Sequence, residues 1–334
     1  MRSYAKHFAR RFAQFLLVVF IGINLTYVIT HMTPIDPVEQ SIAAVTSFGN
    51  TSPEAIAMMR QSLRELYGLT GSPIEQYANF WRRIAMADFG PSLSAFPTPV
   101  SALIARALPW TIGLLVTATL ITWTLGNLLG GLAGYYQDNP SLKVLAVVAM
   151  GLHPVPYYIV AFVLLVMFGY MWPLLPIAGG YGMNIDRGFN ATFVLSVLKH
   201  SILPALSLML IGLGGWFLGM RSLVSNVVSE DYVVYAELAG VDRRRILGSY
   251  VMRNALVPQV TGLALSLGAI FNGAIITEQV FGYPGIGSLL VSAVYAGDYG
   301  LVLGVTTISI VGVSAAVLII DLVYPLLDPR VRAA

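Results

Sequence analysis

The sequence predicts an all-α, polytopic membrane protein with six transmembrane helices and a long extracytoplasmic loop between helices 1 and 2. Three observations predict it. Apolar residues make up 57% of the chain and charged residues 10%, against ~45–50% and ~25% in soluble domains. Six stretches each supply the roughly 20 mainly apolar residues a helix needs to cross a bilayer. Gly (32) and Pro (18) are frequent, and membrane helices tolerate both better than soluble ones do.

The elements follow in chain order. Arg2, Lys6, Arg10 and Arg11 precede a first apolar run at about Phe12–Met32. That run is longer than the ~7–15 residues of a signal-peptide core, and no small-x-small site follows, so it is expected to be an uncleaved signal anchor. Residues 1–32 form the first unit and 33–109 a large extracytoplasmic segment. Within that segment "SPEAIAMMRQSLRELYGL" predicts an amphipathic helix, capped by Ser52 and started by Pro53. Residues 110–334 form a five-helix core. Its spans are about Trp110–Tyr136, Leu142–Tyr170, Ile202–Met220, Leu256–Phe281 and Leu303–Leu326, and it includes a polar loop, 221–255. Basic residues orient the chain. Twelve of the nineteen Lys and Arg fall on one side (the N-terminus, Lys143, the 221–255 loop, Arg330 and Arg332). Both termini and that loop are therefore expected in the cytoplasm.

The loop concentrates the charge. "EDYVVYAELAGVDRRR", Glu230–Arg245, has seven charged residues in sixteen. Glu230 and Asp231 suit the positive end of a helix dipole. Tyr232, Tyr235, Ala236 and Ala239 recur at helical spacing and predict one apolar stripe. Gly240 predicts the stop and Asp242 the cap of a second helix. That helix carries Ile246, Leu247, Tyr250 and Val251 on one face and leads into the fifth span. Two readings follow: a solvated loop that obeys the positive-inside rule, or a docking element whose small residues admit a partner and whose movement is passed to the fifth span.

Catalytic chemistry has no visible apparatus. The sequence has no G-x-x-x-x-G-K-[ST] phosphate cradle, no H-E-x-x-H and no G-x-S-x-G. Four scattered His and no Cys exclude disulfides and thiolate metal sites. No catalytic residue and no metal site is expected, and no basic patch points to nucleic acid. Repeats and buried ion-coupling carboxylates, the usual marks of a stand-alone secondary transporter, are not evident.

These residues carry a family resemblance over nearly the whole length. Gly240, followed eighteen residues later by Pro258, with "EDYV" before and "RNALVP" after, resembles the cytoplasmic loop of bacterial ABC importer permeases. The likeness is strongest to the B-type subunit of the dipeptide, oligopeptide and nickel transporter group. "PIDP" (Pro34–Pro37) resembles that group's P-G-D-P, and "ADFGPSL" (Ala87–Leu93) its G-D-x-G-x-S. "HSILPALSL" (His200–Leu208), "EQVFGYPGIGSLLVSAV" (Glu278–Val294) and "DLVYPLLDPRVR" (Asp321–Arg332) resemble further motifs in the same order. There are departures. Val234, Tyr235 and Ala236 stand where the general pattern has E-A-A. Ala239 replaces a Lys frequent in the peptide subgroup. Ile35 and Ala87 replace usual glycines.

The resemblance implies a type I ABC importer permease fold and a role as half of a translocation pathway for peptides or similar small oligomeric solutes. Oligosaccharide or nickel-chelate cargo stays open beside peptides. The implied partners are a second homologous permease, two ABC ATPase subunits and an extracytoplasmic substrate-binding protein, within the lipid of a bacterial inner membrane. The partner ATPases would use ATP and Mg, with no cofactor bound by this chain. By position, Tyr235, Ala236, Glu237, Leu238, Ala239, Gly240 and Arg243 become the ATPase-coupling candidates. Glu278, Pro284, Gly285 and Gly287 are read either as an outer gate or binding-protein contact, or as a structural ion pair or helix cap. His153 and Tyr157, in the kinked run "HPVPYY", are read as pathway lining or as packing partners. The extracytoplasmic segment is read as a cap or as a docking surface for the binding protein.

Overall fold

A computed structural model describes residues 2–32, 37–46, 52–67, 69–188 and 190–327, and among the described residues it is helical, with one isolated β-bridge between Pro91 and Pro99. The helices are α1 (Arg2–Met32), α2 (Pro37–Thr46), α3 (Pro53–Leu66), α4 (Pro73–Ala85), α5 (Val100–Tyr135), α6 (Pro140–Leu152) and α7 (Tyr157–Leu165). They continue with α8 (Ala191–Val228), α9 (Asp231–Leu238), α10 (Arg243–Arg245), α11 (Arg253–Gly268), α12 (Ile275–Val280), α13 (Ile286–Tyr295) and α14 (Tyr299–Leu327). Among the described residues, five helical stretches are long and apolar enough to cross a membrane, or six if one bent pair counts as a single span. Pro34–Asp36 of the "PIDP" motif and the Asp328–Arg332 ending lie outside the described residues.

The centre of the molecule is the packing of α5 on α8. Gly126, Gly130 and Gly134 lie four residues apart, so they form one stripe along α5. Gly126 faces Trp216, Gly130 faces Phe217, and Gly134 faces Arg221 and Val224. A Cβ at Gly134 would come within 2.7 Å of the Arg221 carbonyl oxygen. Only glycine permits this approach, the usual basis of close helix contact in a bilayer. Because the paired positions rise together along both helices, α5 and α8 run parallel.

Parallel packing obliges the chain between them to return to the end at which α5 began. The return is made by α6 and α7, the latter prolonged by a π-helical stretch, Val166–Met171. They are bent by 100° to one another. The single span predicted at Leu142–Tyr170 is therefore two helices. Pro154 and Pro156 have no N–H to continue the helical ladder, and Pro156 stands at the N-cap of α7. At 1.5 Å per residue, neither half exceeds about 23 Å, so both are needed to cross a core of about 30 Å.

The fifth span also departs from its predicted limits, Leu256–Phe281. The helical run is Arg243–Phe271. It includes a π-helical stretch, Ile246–Met252, and ends level with the middle of α14, where Phe271 lies against Gly312. Gly273, with φ +69°, then turns the chain into the α12–α13 hairpin. Glu278 therefore lies in a separate short helix that fills the space above the stopped span. Helix α1 runs antiparallel to α14, with Gly22 against Ile310 and Arg11 paired to Asp321 at 3.2 Å. Leu16, Leu17, Ile21 and Leu25 on α1 are exposed, as a lipid-facing surface requires.

In the 33–109 segment, α3 starts at Pro53 under a Ser52 cap whose Oγ accepts from the Ala55 N–H at 3.3 Å, as predicted. Helix α4 was not anticipated, although its Ser72–Glu75 capping box and Pro73 at the first position are sequence signals. It is fastened to α1. The Tyr77 hydroxyl donates to Asn24 Oδ1 at 2.6 Å, and Trp81 stacks on Phe20 with centroids 5.4 Å apart.

Candidate functional site

Two constellations stand at opposite ends of the bundle, and all the predicted site residues but His153 and Tyr157 fall in one or the other. The first is α9 with the turn that follows. Helix α9 ends in a Schellman motif: Gly240 N–H donates to the Glu237 carbonyl at 3.0 Å and Val241 N–H to the Ala236 carbonyl at 3.1 Å. Gly240 has φ +73° and open space where a side chain would start, so backbone conformation alone explains glycine here. Asp242 caps the next turn, accepting from Arg244 N–H at 3.0 Å.

The predicted apolar stripe of α9 is displaced by the packing. Tyr232, Tyr235 and Ala239 are exposed; the buried face is Val233 with Ala236. These two join Met220 and Val224 of α8 and Ile246, Val251 and Ala255 of the α10–α11 run in one core. Tyr232 and Tyr235 are large and amphipathic and Val233 is not, so apolar period alone ranked the wrong face. Asn254 Nδ2 of α11 also donates to the Tyr232 hydroxyl at 3.1 Å. Of the seven coupling candidates, Ala236 is thus an internal anchor. Tyr235, Glu237, Leu238, Ala239, Gly240 and Arg243 are exposed, with Tyr235 72% and Leu238 79% accessible. Three residues apart on one helix, Tyr235 and Leu238 are neighbours on its exposed face.

The second constellation surrounds Glu278, which is fully buried. Its carboxylate accepts from the Thr111 hydroxyl at 2.8 Å and from the Ser288 N–H at 3.0 Å. Thr111 Oγ1 in turn accepts from the Ile286 N–H at 2.8 Å. Ile286 and Ser288 belong to the first turn of α13, whose N-cap, Gly285, has no side chain to supply an acceptor. The buried carboxylate therefore caps α13 from outside, where the helix dipole and unpaired N–H groups favour negative charge. Gly285 and Gly287 are needed for space. A Cβ at Gly287 would meet Glu278 Oε2 at 2.9 Å, and one at Gly285 would collide with the whole carboxylate. Pro284 lies at the bend, with its ring against Gly180. Among the described residues Glu278 has no cationic partner, so of the structural readings the helix cap fits and the ion pair does not.

His153 and Tyr157 join neither constellation. They flank the α6–α7 bend, with His153 against Gly214 and Gly215 of α8 and Tyr157 edge-on to Tyr158 at 6.1 Å. Sequence reasoning missed two residues. Thr111 looks like any small residue in a span. Asp298, fully buried, accepts from Ser92 and Ser94 hydroxyls and from the Leu301 N–H of α14. Its signal was available, since a lone acid opening an apolar helix is a cap, and Ser92 belongs to the "ADFGPSL" motif.

Residues 126–333 match the family described as binding-protein-dependent transport system inner membrane component. The chain is 27% identical to the oligopeptide transport system permease protein AppB of Bacillus subtilis, over 94% of this chain and 95% of the relative. It is 30% identical to a putative peptide transport system permease protein of Brucella abortus, over 97% and 98%. It is 27% identical to the probable D,D-dipeptide transport system permease protein DdpB of Escherichia coli, over 95% and 94%.

Proposed function

The chain belongs to the family of binding-protein-dependent transport system inner membrane components, and from that premise we propose that it forms half of the pathway of an ATP-driven peptide importer. The names of its relatives favour peptides as cargo. A second, similar permease would complete the pathway, and an extracytoplasmic binding protein would deliver the solute. Two ATPase subunits would bind ATP and Mg, with no cofactor held by this chain. The inner membrane is its expected place, with both termini in the cytoplasm.

One observation carries this reading. Helix α9 presents Tyr235 and Leu238 outward while Val233 and Ala236 bind it to the α10–α11 run. A push on the exposed face is therefore passed to a membrane span through a packed core. ATP shifts the permease only by differential affinity for its two states, and this contact would transmit that difference. Tyr235, Glu237, Leu238, Ala239, Gly240 and Arg243 form the proposed ATPase contact. Glu278, Pro284, Gly285 and Gly287 hold the hairpin proposed as the outer gate, and His153 with Tyr157 line the pathway at the α6–α7 bend.

Gly240→Leu tests it. A side chain there meets open space within this chain, and left-handed strain costs only about 1–2 kcal/mol. Membrane insertion should persist while ATP-dependent peptide uptake by the reconstituted complex is lost. Uptake at the wild-type rate would count decisively against α9 as the ATPase contact.

A further inference from the structure

The 33–109 segment holds an open cleft of about 720 Å³, within the roughly 300–1,000 Å³ usual for small-molecule sites. It forms where the last turns of α3 and α4 meet the loop that leads to α5. Leu66, Met86 and Phe96 give it an exposed apolar part, and Glu65 and Arg82 belong to the same lining. Arg83, also in the lining, is occupied internally: it pairs with Asp88 at 3.3 Å and donates to the Leu66 carbonyl at 3.1 Å. The Arg82 guanidinium has no partner among the described residues. The Glu65 carboxylate accepts there only from the neutral Gln61 amide, at 3.1 Å. Among the described residues the cleft thus offers a cation and an anion without ionic partners, together with three exposed apolar side chains.

Resting on the peptide-importer reading above, we propose that this cleft is a receiving site for short peptides. Arg82 takes the C-terminal carboxylate, Glu65 takes the N-terminal ammonium, and Leu66, Met86 and Phe96 take the side chains. The two charges of opposite sign match a zwitterion, whereas an anionic lipid headgroup would leave Glu65 opposed to it. The cleft also adjoins the hairpin. The Gly90–Pro99 loop, which contributes to its lining, is held by Ser92 and Ser94 on Asp298, and Asp298 joins α13 to α14.

The test uses the chain assembled with its partner permease and ATPases in phosphatidylcholine nanodiscs, without a binding protein, and radiolabelled trialanine. Saturable binding is expected. Arg82→Gln and Glu65→Gln should each weaken it about tenfold, the loss of one charge-assisted contact, while Arg82→Lys keeps most of it. Arg82→Gln should not change the weaker binding of trialanine amide, nor Glu65→Gln that of N-acetyl-trialanine. No saturable binding, or binding indifferent to both substitutions, overturns the site. So does Arg82-dependent retention of added phosphatidylglycerol with no trialanine bound. With the binding protein added, import of trialanine by a complex that fails these tests would overturn the cleft alone. No peptide import by the wild-type complex would overturn the peptide reading with it.

Discussion

Ala87 shows what a single position can record. It is the one non-glycine residue with positive φ among those described, at +52°, and it stands at the first glycine of the G-D-x-G-x-S pattern that "ADFGPSL" resembles. An L-residue there costs about 1–2 kcal/mol, partly offset by the roughly 0.5–1 kcal/mol of chain entropy that glycine adds to the unfolded state. Ala87→Gly should therefore raise stability by about 0.5–1 kcal/mol, read as a higher midpoint of thermal unfolding in detergent. Glu278 argues in the other direction. Removing its carboxylate leaves the Thr111 hydroxyl and the Ser288 N–H buried without an acceptor, at about 1–3 kcal/mol for an orphaned group. Glu278→Ala should lower the same midpoint markedly, and Glu278→Gln, which keeps one acceptor oxygen, should lower it less. Equal losses from the two would argue against the cap.

At the scale of elements, the decisive contacts are helix against helix. The Gly126–Gly130–Gly134 stripe sets how near α8 can come. Gly134→Ala pushes a methyl group into the Arg221 carbonyl and Val224, an overpacking worth about 1–3 kcal/mol. The expected outcome is a lower unfolding midpoint. Leu128→Ala on the exposed face should have little effect on it. Helix α9 is the complementary case. Its stability comes from Val233 and Ala236 in a core shared with α8 and α11, which frees its other face for a partner.

The whole molecule has a direction, because α5 and α8 are parallel and the bent pair between them must cross back. The chain has no Cys, so single cysteines can report this without background. Leu238→Cys, 79% exposed, should react with an impermeant maleimide only in inside-out vesicles that hold the chain without its ATPases. Met183→Cys, fully exposed in the loop before α8, should react only in right-side-out ones. Labelling of both from one side would mean that α6 and α7 do not together cross the membrane.

Much of this architecture was legible in the chain itself. Hydropathy located the spans, because a bilayer admits only long apolar helices whose backbone groups pair internally. The Gly240 stop, the Asp242 cap and the Ser52–Pro53 start were legible because caps are local chemistry. The resemblance placed Glu278 among residues of interest without telling cap from ion pair. What the sequence could not decide was everything set by a neighbour distant along the chain. Only the fold showed that Val233 rather than Tyr235 faces inward, that the fifth span stops at mid-depth and that Thr111 reaches Glu278. It alone brought Arg82 and Glu65 into the lining of one cleft. Apolar period measures a helix against an average environment; which face is buried, and which buried charge is satisfied, depends on the particular atoms that tertiary packing brings within 3 Å.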